Sequence, residues 1–398
     1  MDMSDPNTLD DLKNRATARI DQLRDELIGI SATIHANPEV AFQETAASQL
    51  LMGWLAGQGF SVESDVAGLQ TAFKASFASR SPGSSVAFLA EYDALPDLGH
   101  ACGHNIIATA SVGAAAAVAS VMDALRGTIL VIGTPAEEYG GGKITMVEKG
   151  AFDGIDAAML IHPSTRTCAY IYALANETLD VEFFGQAAHA AAYPEKGINA
   201  LDAMVISYVG ISALRQQMRP DARVHGIITH GGEASNIIPA YTSGRFQVRA
   251  KDDAYLEVLL ERVLDCFRAG AAATGARFEH RSLERRYSAM RNNEAMAQAF
   301  VANLLSLGVT VEDHDPSWGI GSTDMGNVSQ RVPSIHPSVA IADKSVALHS
   351  PEFACAAASD RAKDGLILAA KALAMTAIDL LADAELMATV KKEFASSD

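Results

Sequence analysis

Glu91-Tyr-Asp-Ala-Leu-Pro-Asp-Leu-Gly-His-Ala-Cys-Gly-His104 places two imidazoles, a thiol and three carboxylates within fourteen residues. Nitrogen, sulfur and oxygen donors crowded in this way are what a transition-metal ion requires. The stretch sits between an apolar run, Ser85-Val-Ala-Phe-Leu-Ala90, and an Ala-rich segment beginning at Asn105. The first reads as a buried strand and the second as a core helix over 105–125.

The same arrangement recurs downstream. Gly127-Thr-Ile-Leu-Val-Ile-Gly133 reads as a second buried strand, with Glu137 and Glu138 just beyond its end. Ala157-Ala-Met-Leu-Ile161 is a third and delivers His162. Strand, chemical loop, helix, strand is the pattern of a mostly parallel α/β sheet flanked by helices, whose binding groups collect beyond the carboxyl ends of its strands.

On the N-terminal side, residues 9–35 have helical apolar spacing that Asn37-Pro38 stops, and a second helix is expected over 44–56. Val62–Val66 and Thr71–Ser76 read as short strands. After about residue 175 the texture changes. Thr178–Phe184, Arg223–Thr229 and Thr242–Ala250 alternate like half-exposed strands, while Gly197–Leu214 and Tyr255–Gly270 are helical. That order suggests an inserted α+β sandwich over 177–290, splitting a catalytic domain into 1–176 and 291–398. The last part is read as helices and short strands, closing with an Ala-rich helix at 361–382 and a polar tail.

With 49% hydrophobic residues the chain can bury a large core. A formal charge of −17 argues against nucleic acid and against an anionic membrane surface as partners. The most apolar window, 105–121, follows the donor loop directly and suits a core helix better than a membrane span. The four cysteines have no paired spacing, and the acidic start lacks the features of a signal peptide. A reducing, cytoplasmic setting is expected.

Several donors have simpler readings when taken alone. Cys102 beside His104 could be a buried thiol with a hydrogen-bonded histidine, or a thiol nucleophile with its base. His162 and His349 could each be structural, and Arg249 a surface charge. Glu137 and Glu138 could begin a solvated helix. Burying two adjacent carboxylates is costly, however, and a cation beside them removes the problem. One carboxylate can then ligate while the other acts as general base in metal-assisted hydrolysis. Gly140-Gly-Gly-Lys143 does not complete a phosphate loop, because Ile144 stands where Ser or Thr is needed.

The chain resembles the M20-type metallopeptidases and amidohydrolases, in the Cys-bearing branch with p-aminobenzoyl-glutamate hydrolase-like and aminoacylase-like enzymes. The resemblance rests on Ile34-His-Ala-Asn-Pro-Glu39, Tyr92-Asp-Ala-Leu-Pro96, Gly99-His-Ala-Cys-Gly-His-Asn105, Pro135-Ala-Glu-Glu138 and Gly185 to His189. It continues through Gly197-Ile-Asn-Ala-Leu-Asp202, Ser235-Asn-Ile-Ile-Pro239, Gly321-Ser-Thr-Asp-Met-Gly326 and His349-Ser-Pro-Glu-Phe353. These motifs run in the family's order over nearly the whole chain. The wider superfamily has His-x-Asp where this chain has Glu91-Tyr-Asp93, a change expected in the Cys-bearing branch. Asn105 stands where many relatives have Asp.

The resemblance implies two divalent metal ions per subunit, Zn or Mn, bridged by Cys102 and completed by His104, Glu138, His162 and His349. It makes Glu137 the general base and Asp93 a carboxylate that orients a ligand. His189 would reach the partner subunit's site to stabilise an oxyanion, and Asn236 and Arg249 would hold the substrate. The implied protein is a homodimer, joined through the inserted domain, that cleaves the amide of a small carboxylate-bearing substrate. An N-acyl amino acid, an aminobenzoyl-glutamate-like conjugate or a small dipeptide would serve. The rivals are cleavage of an aryl-amine C–N bond by the same site, and a metal-binding scaffold without catalysis.

Overall fold

The two apolar runs that precede the chemistry-bearing loops are adjacent parallel strands, buried at every residue except the first of each. A computed structural model of the chain describes residues 8–313, 315 and 321–396. It divides into one unit of Met1–Tyr172, Met290–Gly319 and Asn327–Asp398, and another of Ala173–Ala289 with Ile320–Gly326. Residues 321–326, which the sequence pattern leaves in the catalytic part, group with the second unit.

The first unit opens with helices α1 (Leu9–Gln22), α2 (Arg24–Ala36) and α3 (Thr45–Gly57). A single helix is expected over 9–35. Instead the spiral tightens at Leu23, whose N–H is shared between the carbonyls of Arg19 and Ile20. Strands β1 (Ser61–Ser64), β2 (Phe73–Ala78) and β3 (Ser85–Glu91) lead to helix α4 (His104–Ala119). Then follow β4 (Thr128–Thr134), α5 (Gly142–Glu148), β5 (Ala157–Met159) and β6 (His162–Ser164).

The second unit contains β7 (Ala175–Phe184), α6 (Ala200–Leu214), β8 (Arg223–His230), β9 (Tyr241–Ala250), α7 (Asp253–Thr274) and β10 (Arg277–Ser282). Its sheet has the order β10-β7-β9-β8 and is antiparallel throughout. Strand β9 alternates buried and less buried residues, and its Phe246, Val248 and Ala250 share a core with Leu259, Val263 and Phe267 of α7. This is the α+β sandwich expected, with one more strand. The sequence of β10, Arg-Phe-Glu-His-Arg-Ser, is almost wholly exposed and lacks the alternation that would have marked it.

The chain returns to the first unit at α8 (Glu294–Ser306), and α9 (Met325–Ser329) begins in the second unit and ends in the first. Next come β11 (Ser334–Ile335), β12 (Ser338–Ala340), α10 (Pro351–Ala356), α11 (Asp360–Ala382) and α12 (Ala384–Ser396). The expected polar tail is therefore mostly the helix α12, anchored by buried Met387 and Val390.

The sheet of the first unit has the order β1-β2-β4-β3-β5-β11. Strands β4, β3, β5 and β11 are parallel, while β1 and β2 add an antiparallel edge. Helix α4 is buried along nearly its whole length, and its Ala-rich sequence lets β3 and α11 approach closely. Helix α11 is long and apolar enough to cross a membrane, yet 78% of its most apolar window is buried inside the protein. The parallel strands thus deliver the loops 92–103 and 135–141, and the segment that begins at His162, to one end of the sheet.

Candidate metal centre

Residues from four separate segments of the first unit converge beyond those strand ends. The Cys102 sulfur lies 3.3 Å from His162 Nε2 and 3.3 Å from His349 Nε2. Glu138 Oε1 is 3.6 Å from His349 Nε2 and 3.8 Å from His104 Nε2. Two donor triplets result, Cys102–His104–His162 and Cys102–Glu138–His349, each with ligand atoms within 4.8 Å of one another. The thiol belongs to both. Glu137 joins a third triplet with His104 and Glu138.

Local backbone geometry produces this convergence. Gly103, with φ 78°, caps α4 and lets the chain turn between Cys102 and His104. A Cβ there would meet Pro163 Cγ at 2.5 Å, so only glycine fits between the donor loop and the segment carrying His162. His349 is itself left-handed, with φ 58°, and its N–H donates to the Ala101 carbonyl. A non-glycine residue in this region costs energy, and such strain is found at functional sites. Beyond β4, Gly142 lies so near the Pro135 carbonyl that a Cβ would stand 1.9 Å from the oxygen, which folds the 135–142 loop back on itself.

Hydrogen bonds orient the imidazoles. His104 Nδ1 donates to Asp93 Oδ1 at 2.9 Å, and His162 Nδ1 donates to the Pro163 carbonyl at 2.6 Å. Because those acceptors carry no proton, Nδ1 is protonated in both rings, leaving each Nε2 toward Cys102 or Glu138. Asp93 also accepts the Glu138 N–H through Oδ2 at 3.0 Å. One carboxylate therefore orients two of the converging residues.

Burial and neighbouring charges shift the protonation of these groups in different directions. Burial pushes the Cys102 thiol well up, and the Glu138 carboxylate adds to it. Burial lowers His162 to about 4, with His104 reinforcing the effect. At His104 burial acts downward, but the Asp93 carboxylate outweighs it and the imidazole is raised. Among the described residues, the buried His104 Nε2 and Glu138 Oε1 have no hydrogen-bond partner. Facing polar atoms left in that state are costly, and a cation between them would satisfy both. The donor set of thiol, imidazole and carboxylate fits a divalent transition metal.

Behind the donors lies a pair that the sequence does not reveal. Lys143, fully buried, sits 2.6 Å from Glu91 Oε1, while Glu91 Oε2 lies 3.6 Å from His104 Nε2. Burial raises Glu91, but Lys143 and the nearby imidazoles outweigh it and hold the carboxylate well below its usual range. The Gly140–Lys143 run thus supplies a counter-ion where its glycines suggest a failed phosphate loop. His100 is not among the converging donors. Its ring lies 6.1 Å from that of His35, and burial, with His104 nearby, lowers it to about 3.

Three predicted site residues belong to the second unit. His189 is exposed, and its Nδ1 accepts from the Ala191 and Ala192 N–H groups, which leaves Nε2–H as an outward donor. The Asn236 carbonyl accepts the Ala190 N–H, so the loops of His189 and Asn236 lie side by side. Arg249 is half-buried on β9 and its Nη atoms reach Ser322 Oγ and Gln247 Oε1. Its Nε is buried without a partner among the described residues, and burial lowers its pKa.

Residues 87–363 match the model of peptidase family M20/M25/M40. The chain is 41% identical to the Xaa-Arg dipeptidase of Mus musculus, over 96% of this chain and 92% of that protein. It is 29% identical to one of the subunits of the p-aminobenzoyl-glutamate hydrolase of Escherichia coli K12, over 93% of this chain and 92% of that protein. A dinuclear metal-binding M20-family peptidase from Bacillus subtilis superposes with a TM-score of 0.73 at 21% identity, covering 91% of this chain and 99% of that one, a likeness of fold.

Proposed function

Because the chain belongs to peptidase family M20/M25/M40, a family of metal-dependent hydrolases acting on amide bonds, we propose that it is a two-metal dipeptidase. Its substrate on this reading is a short amide with a free carboxylate beside the scissile bond, first of all a dipeptide ending in arginine. The observation that carries the metal reading is Cys102, whose sulfur belongs to two donor triplets at once. The dipeptide reading is supported by the 41% identity to an Xaa-Arg dipeptidase over nearly the whole chain.

Cys102, His104 and His162 would hold one ion, and Cys102, Glu138 and His349 the other. Of the expected ions, Zn suits the thiol and imidazole donors and Mn the carboxylate. Bound there, divalent ions supply Lewis acidity that polarises a carbonyl and lowers the pKa of water. Glu137 takes a proton from the attacking water as its oxygen bonds to the carbonyl carbon. His189, with its Nε2–H free to donate, stabilises the oxyanion of the tetrahedral intermediate. Glu137 then gives the proton to the leaving nitrogen as the C–N bond breaks, yielding a carboxylic acid and an amine. Arg249 would pair with the substrate carboxylate, and its buried Nε, which has no partner among the described residues, supports that role. Asn236, beside the His189 loop, would hold the same end of the substrate.

His189 would serve the partner subunit of a homodimer. Supporting this reading, β8 is an edge strand with Ile227 64% exposed, and α6 exposes Val205, Ile206 and Val209. Apolar surface beside an unpaired strand edge is a natural place for a second copy to join. A cytoplasmic setting accords with four cysteines that are all free thiols.

A screen of metal-reconstituted protein against Xaa-Arg dipeptides, N-acetyl amino acids and p-aminobenzoyl-glutamate tests the substrate reading. Dipeptides ending in arginine should be turned over with the highest kcat/KM. Preferential release of p-aminobenzoate would move the assignment to the conjugate hydrolases, and no turnover of any amide would end it.

A further inference from the structure

Glu44 has no exposed surface, yet the groups facing it are uncharged or of its own sign. Its Oε1 accepts the N–H of Phe42 and the N–H of Ala136, both at 2.9 Å. Its Oε2 accepts the Thr71 hydroxyl at 2.9 Å, and the Thr71 carbonyl in turn accepts the Tyr92 hydroxyl. Asp93 is near enough to raise Glu44 further once burial has done so, to about 7. A carboxylate held in this way costs stability, which calls for a compensating role.

Both N–H groups on Oε1 come from residues in the left-handed region, Phe42 with φ 61° and Ala136 with φ 61°. L-residues with side chains avoid that conformation unless their surroundings impose it. Ala136 immediately precedes the two carboxylates of the site, so its dihedral angles set the direction in which Glu137 leaves the end of β4. A second contact ties the same two segments: a Cβ on Gly140 would meet the Phe42 ring at 2.5 Å. The loop 135–142 is thus fixed from residues 42–44, far away in sequence.

We propose that Glu44 is a positioning residue for Glu137, acting by holding Ala136 in its left-handed conformation. The role rests on the reading of Glu137 as the general base. Glu138 has a separate anchor, because its own N–H is held by Asp93. The two neighbouring carboxylates are therefore fixed by different groups, and losing Glu44 should disturb the base while sparing the ligand.

The test compares Glu44→Ala and Glu44→Gln in the metal-loaded full chain. Glu44→Ala should lower kcat by about 10- to 100-fold, the cost of a misplaced reacting group. Its KM should change by less than about two-fold, as expected when only the reacting step is impaired. Metal content should stay at the wild-type level, and the Ala136 amide should exchange hydrogen faster. Glu44→Gln keeps an oxygen for both N–H groups and should restore kcat and slow exchange. A folded Glu44→Ala protein with wild-type kcat, or a Gln variant as slow as the Ala variant, overturns the proposal. Should Glu44→Ala fail to fold, Glu44→Asp, which withdraws the carboxylate by one methylene, must show the same pair of effects, and wild-type kcat in it would be equally fatal. If Glu137→Gln retains turnover, the base assignment fails first. If Glu137→Gln is inactive and Glu44→Ala exchanges faster at full kcat, the positioning role fails alone.

Discussion

Asp93 binds His104 Nδ1 with one carboxylate oxygen and the Glu138 N–H with the other, at 2.9 and 3.0 Å. It touches neither donor triplet as a ligand, yet it sets the direction of one residue in each. Orienting groups of this kind typically govern metal affinity by about 10- to 100-fold. Asp93→Ala should show a loss of that size in a chelator competition experiment. Unchanged affinity would mean that the donors hold their positions unaided.

Glu137 and Glu138 are neighbours with different proposed roles, so their amide variants should fail differently. Glu137→Gln keeps the size but cannot take a proton, and turnover should fall by about 10²- to 10⁴-fold at near wild-type metal content. Glu138→Gln should lower metal occupancy instead. Steady-state kinetics combined with elemental analysis reads both, and exchanged behaviours would reverse the two roles.

Glu44 also makes a prediction about stability and pH. Its folded pKa of about 7 lies above the ordinary 4.5, so between those values the folded protein retains a proton that the unfolded chain releases. Its contribution therefore disfavours folding increasingly as pH rises from 4.5 toward 7, and is constant above that. Glu44→Gln removes the titration. Relative to wild type the variant should gain on the order of 3 kcal/mol across that window, from 1.36 kcal/mol per pKa unit. Chemical denaturation of both proteins at pH 5 and pH 8 measures this, and a difference that does not grow with pH contradicts it.

His189 lends itself to a complementation test. Glu137→Gln and His189→Ala chains, each inactive alone, would form heterodimers in which one site has both groups intact. Random exchange should recover up to about one quarter of wild-type activity, because half the dimers carry one working site. No recovery after demonstrated subunit exchange would place His189 in its own subunit's site or outside catalysis.

Four of the converging donors were legible because they lie beyond apolar runs, whereas His349 was marked only by the family resemblance. Parallel strands bring their carboxyl ends together, so Cys102, His104, Glu138 and His162 had to meet once β3, β4 and β5 were read as neighbours. What escaped reading is of two kinds. The edge strand β10 has little apolar patterning and is stabilised by what it packs against rather than by its own sequence. In the helix α12 the apolar positions Met387, Val390 and Phe394 have helical spacing but stand among charged and small neighbours. Groups whose partners are remote carry no local mark. Glu44 reads as an ordinary acid at the start of a helix until Ala136 is seen against it, and Lys143 reads as a stray basic residue until Glu91 is.

Cys102 would contribute to the holding of both metal ions, and counting metal in Cys102→Ala tests that arrangement. Elemental analysis should find two divalent ions per chain in the wild type and almost none in the variant, because both donor triplets lose a member. His162→Ala, which touches only one triplet, should keep about one of the two. A Cys102→Ala protein that still carries two ions, or a wild-type protein that hydrolyses its substrate with none, would show that catalysis does not depend on two ions held through Cys102.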